Sequence, residues 1–391
     1  MINSIRNIGI IAHIDAGKTT LSEHFLYYSG KTHKIGEVDE GNTVMDYLEE
    51  ERKRGITIVS AAAAFQWKLN QNDYLVHLID TPGHIDFTVE VERSLRVIDG
   101  AVVVFSAVEG IQAQSEKVWH QSDKYRVPKI AFINKLDRSG ASFERVCTEI
   151  KKKFKNVCNL PVQFPVGIEN EFSKIVDLIN MKLLSFEGDR GEKIVSAEIP
   201  EELKIKIDSA RQKMIAELAN LSDPILELGL EEKMIPAELI QKEIRRLVIA
   251  NKLVPIFCGS AKKNIGIQPV LEAVINCLPS PADEIENIVG TNLKTGEKVT
   301  INPEDNAFCG LVFKVVATEN TDILYLRTYS GTIKTNDTLI NTRTGQKLKI
   351  KRLLRLYSAN IEAIDEAGPG DIIGITGLPN TFTGDTLCSF N

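Results

Sequence analysis

The 391-residue sequence contains no long hydrophobic run and no closely spaced cysteine pair. No apolar stretch approaches the roughly 18 residues needed to cross a bilayer, so a membrane protein is not expected. The six cysteines lie far apart without a CxxC motif or a metal-like Cys/His spacing, which favours reduced thiols in the core. The N-terminus lacks the basic region, apolar stretch and cleavage site of a secretory signal. A cytoplasmic location is therefore expected.

An excess of positive charge is also lacking. The net charge is −6 at pH 7, whereas a protein that coats nucleic acid needs surplus Lys and Arg to neutralise phosphates. Any contact with RNA would have to use a local basic patch. Two such patches are present, at 151–155 and 347–355. For each of them a solvated charged face is the competing interpretation.

The order of apolar segments predicts two domains, 1–284 and 285–391. Short apolar runs alternate with amphipathic stretches such as 18–28 and 86–98, and the runs lie at 7–13, 74–79, 100–105, 129–133 and 254–258. This alternation predicts a mostly parallel sheet covered by helices, with functional loops at the carboxyl ends of its strands. Between about 159 and 253 short strand-like and charge-rich helical segments predict an inserted α+β subdomain. After the Pro-containing linker 278–281, short strands and Gly/Asn/Asp turns predict a small all-β barrel.

Residues 12–19, AHIDAGKT, are called the phosphate loop below. They fit the motif GxxxxGK[ST] except that Ala12 replaces the first glycine. A predicted strand precedes the loop and a predicted helix follows it, so backbone N–H groups would cradle phosphates. Lys18 would reach the β- and γ-phosphate oxygens, and Thr19 would bind Mg²⁺. The predicted nucleotide-binding residues here are Ala12, His13, Ile14, Asp15, Ala16, Gly17, Lys18, Thr19 and Thr20.

A second candidate element follows the apolar run 74–79 and reads Asp80, Thr81, Pro82, Gly83 and His84. Asp80 can hold Mg²⁺ through water, and the Gly83 N–H can sense the γ-phosphate. His84 stands where nucleotide-hydrolysing proteins with this loop place the residue that orients the attacking water. It is therefore the candidate catalytic residue.

The identity of the base is predicted from 134–137, which reads Asn-Lys-Leu-Asp directly after an apolar run. The Asp137 carboxylate can accept both the N1–H and the N2–H₂ donors of guanine, whereas adenine offers no such pair. Asn134 would tie loops together, and Lys135 would lay its alkyl stem on the base. A backbone N–H near guanine O6 would come from the turn formed by Ser260, Ala261 and Lys262.

The remaining element is 54–57, which reads Arg-Gly-Ile-Thr. Thr57 would join Thr19 and Asp80 as a magnesium ligand only when the γ-phosphate is present, so this segment should become ordered with GTP and loosen after hydrolysis. The predicted ligands are therefore GTP or GDP with Mg²⁺, and the predicted reaction is GTP hydrolysis. Two alternatives remain: a nucleotide-gated binding module without catalysis, which would lack a residue like His84, and an ATP-dependent kinase, which would lack the 134–137 motif.

Longer segments resemble elongation factor G, notably 6–10, 32–38 and 80–96. The phosphate loop of that family also has alanine in place of the first glycine. The resemblance implies an α/β P-loop GTPase domain with an inserted α+β subdomain, followed by a small all-β barrel domain. It further implies a monomeric, ribosome-dependent GTPase that drives tRNA–mRNA translocation or, with ribosome recycling factor, ribosome recycling.

The resemblance does not select between these two roles. The segments 38–47 and 329–334 look closer to the recycling-type paralogue of mitochondria. The match of 31–50 to the ribosomal protection proteins of tetracycline resistance, which belong to the same family, is poorer. The family continues through three further domains. A chain that stops at Asn391 is therefore expected to be a piece of such a protein, and a naturally short protein is the alternative.

Overall fold

The computed structural model describes residues 2–36, 43, 45, 61–81, 88–283, 288–292, 295–317, 322–357 and 360–389. Four predicted site residues lie outside this part of the chain: Thr57, Pro82, Gly83 and His84. The same holds for the rest of the segment 54–57 and for most of 38–47.

The first domain alternates strands and helices. Its strands are β1 (Ile5–Ala12), β2 (Ala61–Leu69), β3 (Asn72–Asp80), β4 (Gly100–Ser106), β5 (Lys129–Asn134), β6 (Cys158–Pro161), β7 (Gln163–Val166), β8 (Lys174–Asp177), β9 (Lys182–Glu187), β10 (Lys193–Ala197) and β11 (Leu253–Cys258). Its helices are α1 (Lys18–Tyr28), α2 (Thr88–Leu95), α3 (Ala113–Lys124), α4 (Phe143–Lys153), α5 (Glu201–Ala219), α6 (Asp223–Leu230), α7 (Ala237–Ile249) and α8 (Ile267–Cys277). None of the helices in the described ranges combines the length and apolar character of a membrane span.

The main sheet has the strand order β2-β3-β1-β4-β5-β11-β6. The pair β2–β3 is antiparallel, and every other pair in this order is parallel. All residues of β1, β4, β5 and β11 are buried. Strands buried on both faces read as continuous apolar runs, which is why these segments are recognisable in the sequence. The predicted parallel α/β sheet is confirmed.

Successive residues of the central strands pack into two different cores, one on each face of the sheet. Ile10 belongs to the core that includes Phe25 of α1 and Leu271 of α8. Its neighbour Ile11 belongs to the core that includes Leu95 of α2 and Trp119 of α3. The helices therefore cover both faces, and the carboxyl ends of the parallel strands are left to the loops.

Strand β2 was not predicted from the sequence. It pairs along its whole length with β3, from Ala61 opposite Asp80 to Leu69 opposite Asn72. The two strands are joined by a tight turn in which Asn70 and Gln71 have φ values of 48° and 65°. This left-handed conformation at both turn residues matches the right-handed twist of the hairpin.

The inserted region contains a small antiparallel sheet with the order β10-β9-β8-β7, accompanied by α5, α6 and α7. It has no core separate from that of the main sheet among the described residues. Ile207 and Met214 of α5 and Ile244 of α7 belong to the same apolar cluster as Ile10. The predicted α+β character of this insertion is confirmed, and the insertion is fastened to the main sheet by shared apolar packing.

The second domain is all-β. Its strands are β12 (Val289–Thr291), β13 (Lys298–Thr300), β14 (Cys309–Ala317), β15 (Asp322–Ser330), β16 (Ile333–Lys334), β17 (Thr338–Asn341), β18 (Lys347–Lys349), β19 (Arg352–Tyr357), β20 (Asn360–Ile364), β21 (Glu366–Ala367), β22 (Ile372–Thr376) and β23 (Thr386–Cys388). A curled antiparallel sheet runs β18-β17-β23-β14-β15-β22-β19, and β20 pairs with β19. Val312, Leu326 and Ile373 lie in its core. The predicted all-β class is confirmed.

The two domains are joined by buried polar contacts. Arg327 of β15 donates from Nη2 to Asp99 Oδ1 at 2.8 Å, and the two side chains are only 3% and 5% exposed. Asn7 of β1 donates from Nδ2 to Asp99 Oδ2 at 2.7 Å and to the Gly370 carbonyl at 3.0 Å. Burial raises the pKa of the Asp99 carboxyl, and the adjacent Arg327 opposes that rise. The carboxylate thus depends on its partners from both domains.

A first prediction concerns this ion pair. Arg327→Met should lower the free energy of unfolding by about 3–5 kcal/mol, because it leaves Asp99 buried without its cation. Urea denaturation followed by circular dichroism measures the change. The control Arg93→Met removes the exposed partner of Glu90 on α2 and should cost less than about 1 kcal/mol. Equal losses in the two variants would contradict the role assigned to Arg327.

Candidate functional site

The phosphate loop connects the end of β1 to the start of α1. Two of its residues have left-handed backbone conformations, Asp15 with φ 61° and Gly17 with φ 94°. Gly17 immediately precedes α1, and a Cβ at this position would lie 2.3 Å from Asn134 Nδ2. Only glycine satisfies both conditions, since it accepts a positive φ and lacks the clashing atom.

The phosphate loop is held at its first half by α3. The ring Nδ1 of His13 lies 3.2 Å from Ser115 Oγ, and the Ile14 N–H donates to Gln114 Oε1 at 3.4 Å. Burial lowers the pKa of His13, which favours the neutral ring. Ser115 and Gln114 were not among the predicted residues, because nothing in the local sequence indicates that α3 meets this loop.

Lys18, at the start of α1, faces Asp80, at the carboxyl end of β3. Strand pairing sets Ile10 opposite Asp80, and Lys18 Nζ lies 2.5 Å from Asp80 Oδ2. Ser22 donates from Oγ to Asp80 Oδ1 at 3.2 Å. The four-residue spacing from Lys18 places Ser22 on the same face of α1, and this spacing is the signal from which Ser22 was predictable.

Thr19 and Thr81 are buried beside this pair. The Thr81 hydroxyl donates to the Ile10 carbonyl at 2.9 Å, so it fixes the start of the loop after β3. Thr19 lies in the first turn of α1. A threonine hydroxyl and a carboxylate are hard oxygen donors, and Mg²⁺ binds such donors from one or two side chains together with substrate phosphates. The residues present therefore fit Mg²⁺. The described ranges contain no cluster of three or more His, Cys, Asp or Glu that would form an all-protein metal site.

The Asn134 side chain joins two loops. Its Nδ2 donates to the Ala16 carbonyl in the phosphate loop at 2.9 Å. Its Oδ1 accepts from the Ala261 N–H at 2.9 Å, in residues 259–265, called the serine loop below. Because one partner is a carbonyl and the other an N–H group, these contacts fix the orientation of the amide. Asn134 is buried, so both of its polar ends are satisfied inside the protein.

The Asp137 carboxylate is oriented by the serine loop. Ser260 donates from Oγ to Asp137 Oδ1 at 2.5 Å, and Ser260 Oγ in turn accepts from the Lys263 N–H at 3.1 Å. Backbone bonds connect the same two segments, since the Leu136 N–H donates to the Gly259 carbonyl at 3.2 Å. A charge-assisted hydrogen bond of the kind that Ser260 makes holds the carboxylate in one direction.

The two lysines predicted for the base side are placed differently. Lys135 has φ 65°, and its Nζ lies 3.5 Å from Glu109 Oε1. The Lys135 ammonium lies beside Glu109, and its charge adds to burial in lowering the pKa of His13 in the phosphate loop. Lys262 is exposed at the surface of the serine loop.

The structure therefore brings the described members of the predicted site to one edge of the sheet. The phosphate loop follows β1, Asp80 ends β3, residues 134–137 follow β5, and the serine loop follows β11. In open α/β sheets the crevice outside the carboxyl ends of the strands is the usual place for a ligand.

Comparisons with known proteins agree with this geometry. The family model "Elongation factor Tu GTP binding domain" matches residues 3–280, and the model "Elongation factor G domain 2" matches 307–390. A solved crystal structure from Thermus thermophilus superimposes with a TM-score of 0.84 at 25% identity, over 100% of this chain and 55% of the other.

Curated relatives are also similar over the whole chain. Elongation factor G 2 of Syntrophomonas wolfei is 48% identical over 392 residues, which cover 100% of this chain and 56% of that protein. Elongation factor G of Fervidobacterium nodosum is 44% identical over 392 residues, again 100% of this chain and 56% of the relative. The chain thus spans a little over half the length of these relatives. It belongs to the family defined by the elongation factor Tu GTP-binding domain and, with the domain that follows, to the elongation factor G type within it.

Proposed function

We propose that this chain binds GTP and Mg²⁺ at the carboxyl edge of the main sheet and hydrolyses GTP when the ribosome stimulates it. The observation that supports this most strongly is the Asn134 amide, which connects the phosphate loop to the serine loop at 2.9 Å on each side. A nucleotide has phosphates at one end and a base at the other, and this contact keeps the two binding loops at a fixed separation.

Guanine is the base that the Asp137 carboxylate fits. With Ser260 holding one of its oxygens, the carboxylate can accept two hydrogen bonds from guanine N1–H and N2–H₂. Adenine would leave this buried acceptor without donors, which costs about 1–3 kcal/mol for each unsatisfied group. A kinase that uses ATP is therefore disfavoured.

Lys18 and the N-terminus of α1 bind the phosphate groups of the nucleotide. Lys18 neutralises the β- and γ-phosphate oxygens, and backbone N–H groups of the phosphate loop donate to the same oxygens. Thr19 and Asp80 would hold Mg²⁺, together with Thr57 from outside the described residues, and the bound ion would further neutralise the phosphate charge. His84, also outside the described residues, orients the attacking water.

The cellular role proposed for the protein follows its relatives, several of which are named elongation factor G. On this basis the GTPase acts on the ribosome in the cytoplasm as a monomer and drives tRNA–mRNA translocation or, with ribosome recycling factor, ribosome recycling. The resemblance of 38–47 and 329–334 to the recycling-type paralogue favours recycling. Splitting of post-termination ribosomes, compared with advance of pre-translocation complexes, distinguishes the two roles.

Gly17 provides a test of the phosphate loop. Gly17→Ala should weaken GDP binding roughly tenfold or more, because the added Cβ would collide with Asn134 Nδ2 and a positive φ costs an alanine about 1 kcal/mol. Fluorescence titration with a labelled GDP measures the affinity.

Gly30→Ala is the matched control for this variant. Gly30 also has a positive φ, 74°, but a Cβ there would meet nothing within 4 Å. The cost of the positive φ should therefore be similar, about 1 kcal/mol, while GDP affinity stays unchanged. If Gly17→Ala also bound GDP normally, the contact between Gly17 and Asn134 would have no part in binding.

His84 provides a test of catalysis. His84→Ala should leave GDP affinity unchanged but reduce ribosome-stimulated GTP hydrolysis roughly 100-fold or more, since it removes the side chain that orients the attacking water and a positioned catalytic histidine contributes on that order. Release of phosphate in the presence and absence of ribosomes gives the rate. The control His120→Ala changes an exposed histidine of α3 and should hydrolyse GTP at the normal rate. Undiminished turnover by His84→Ala would remove it from the mechanism.

A further inference from the structure

A buried histidine of α1 contacts the serine loop on the side away from Asn134. His24 Nδ1 lies 2.6 Å from the Thr20 carbonyl one turn earlier, and Nε2 lies 2.7 Å from Asn264 Oδ1. The ring is 3% exposed. Because a carbonyl only accepts, Nδ1 carries the hydrogen and donates to it. The other nitrogen, Nε2, is left for Asn264.

The contact with Asn264 forms in either protonation state of the ring. An imidazolium donates from Nε2 to Asn264 Oδ1, whereas a neutral ring accepts from the Asn264 amide nitrogen after a 180° rotation of the amide. Burial lowers the pKa of His24, and Arg190, the charged group facing it from the turn between β9 and β10, acts in the same direction. The hydrogen bond between His24 and Asn264 therefore does not depend on the protonation state of the ring.

Asn264 closes the turn that contains Ser260 and Ala261. Its N–H donates to the Ala261 carbonyl at 3.2 Å, and its φ is 58°. The ends of the turn are paired, since Ser260 and Ile265 exchange N–H to carbonyl bonds of 3.0 Å in both directions. A turn closed in this way moves as one unit. Fixing Asn264 therefore also fixes the backbone N–H groups of 260–262.

A turn of the inserted region that contains Gly191 also packs against Asn264. A Cβ at Gly191 would lie 2.5 Å from the Asn264 carbonyl oxygen, so the two backbones are in close contact. Gln268 of α8 donates from Nε2 to the Gly191 carbonyl at 2.6 Å. Asn264 is thus held between His24 on α1 and Gly191, and the serine loop has little freedom to retreat from a base.

We infer that His24 is a positioning residue for guanine recognition: through Asn264 it keeps a backbone N–H of the serine loop at the place of guanine O6. This inference rests on the proposed function, in which 260–262 meet the O6 edge and Asp137 meets the N1/N2 edge. His24 itself does not touch the nucleotide. Its removal should therefore weaken recognition of O6 directly, affect the Asp137 carboxylate only through its hydrogen bond from Ser260, and leave the phosphate loop intact.

The test compares GDP with 6-thioguanosine diphosphate, which keeps the N1–H and the N2 amino group but replaces O6 by sulfur, a weak hydrogen-bond acceptor. The wild-type chain should bind GDP about tenfold more tightly than the analogue, because a buried N–H donor left poorly satisfied costs about that factor. Competition against a labelled GDP gives both dissociation constants. The measured quantity is their ratio, which a general loss of stability does not change.

Two amide variants separate the contacts of the ring. In His24→Gln the amide reaches the place of Nε2 and retains the contact with Asn264, so the ratio should stay within about twofold of wild type. In His24→Asn the amide reaches only the place of Nδ1, so the ratio should fall at least about fivefold towards one. Asn264→Ala removes the same contact from the other side and should give the same fall, even if His24→Asn fails to fold.

The outcomes distinguish the inference from the proposed function beneath it. A wild-type chain that binds GDP and the analogue equally would overturn the proposed reading of O6, and the role of His24 with it. A wild-type chain that prefers GDP, with the ratio unchanged in both His24→Asn and Asn264→Ala, would overturn the role of His24 alone.

Discussion

The site depends on one buried side chain that joins loops from three strands. Asn134 ends β5, donates to the loop after β1 and accepts from the loop after β11. Each loop begins at a rigid, fully buried strand, but the strands alone do not fix where the loops lie relative to one another. A buried amide that is hydrogen-bonded at both ends fixes the positions of the loops, because its N–H₂ group can only donate and its oxygen can only accept. The separation of the phosphate loop and the serine loop follows from this contact.

The strands that carry these loops also carry the contact with the second domain. Asn7 lies in β1, whose carboxyl end leads into the phosphate loop, and Asp99 immediately precedes β4. The Asp99 carboxylate accepts from Asn7 at one oxygen and from the Arg327 guanidinium of the second domain at the other. A pair buried at 3% and 5% exposure is sensitive to misalignment. Strand β1 thus leads into the phosphate loop at its carboxyl end and contacts, through Asn7 and Asp99, the second domain near its other end.

Much of this architecture was predictable because its signals are local. Continuous apolar strands followed by short motifs define the sheet and the loops, and the α/β and all-β classes follow from them. Strand β2 was not predicted because four of its residues are alanine and the turn that follows it, Asn70-Gln71, lacks a glycine. The contacts that orient the site are long-range: His24 meets Asn264 across 240 positions, and Arg327 meets Asp99 across 228. No local pattern indicates such pairs. The roles of Thr57 and His84 remain predictions from the sequence.

The nucleotide preference of Asp137→Asn tests the proposed selection of guanine by the Asp137 carboxylate. An amide in place of the carboxylate can still accept from N1–H, but its N–H₂ donor opposes the guanine N2–H₂ donor, whereas it can donate to the C2 oxygen of xanthine. GDP affinity should fall roughly 100-fold or more, while xanthosine diphosphate should become the better ligand. Unchanged GDP affinity in this variant would contradict a role of Asp137 in base selection and place the specificity elsewhere.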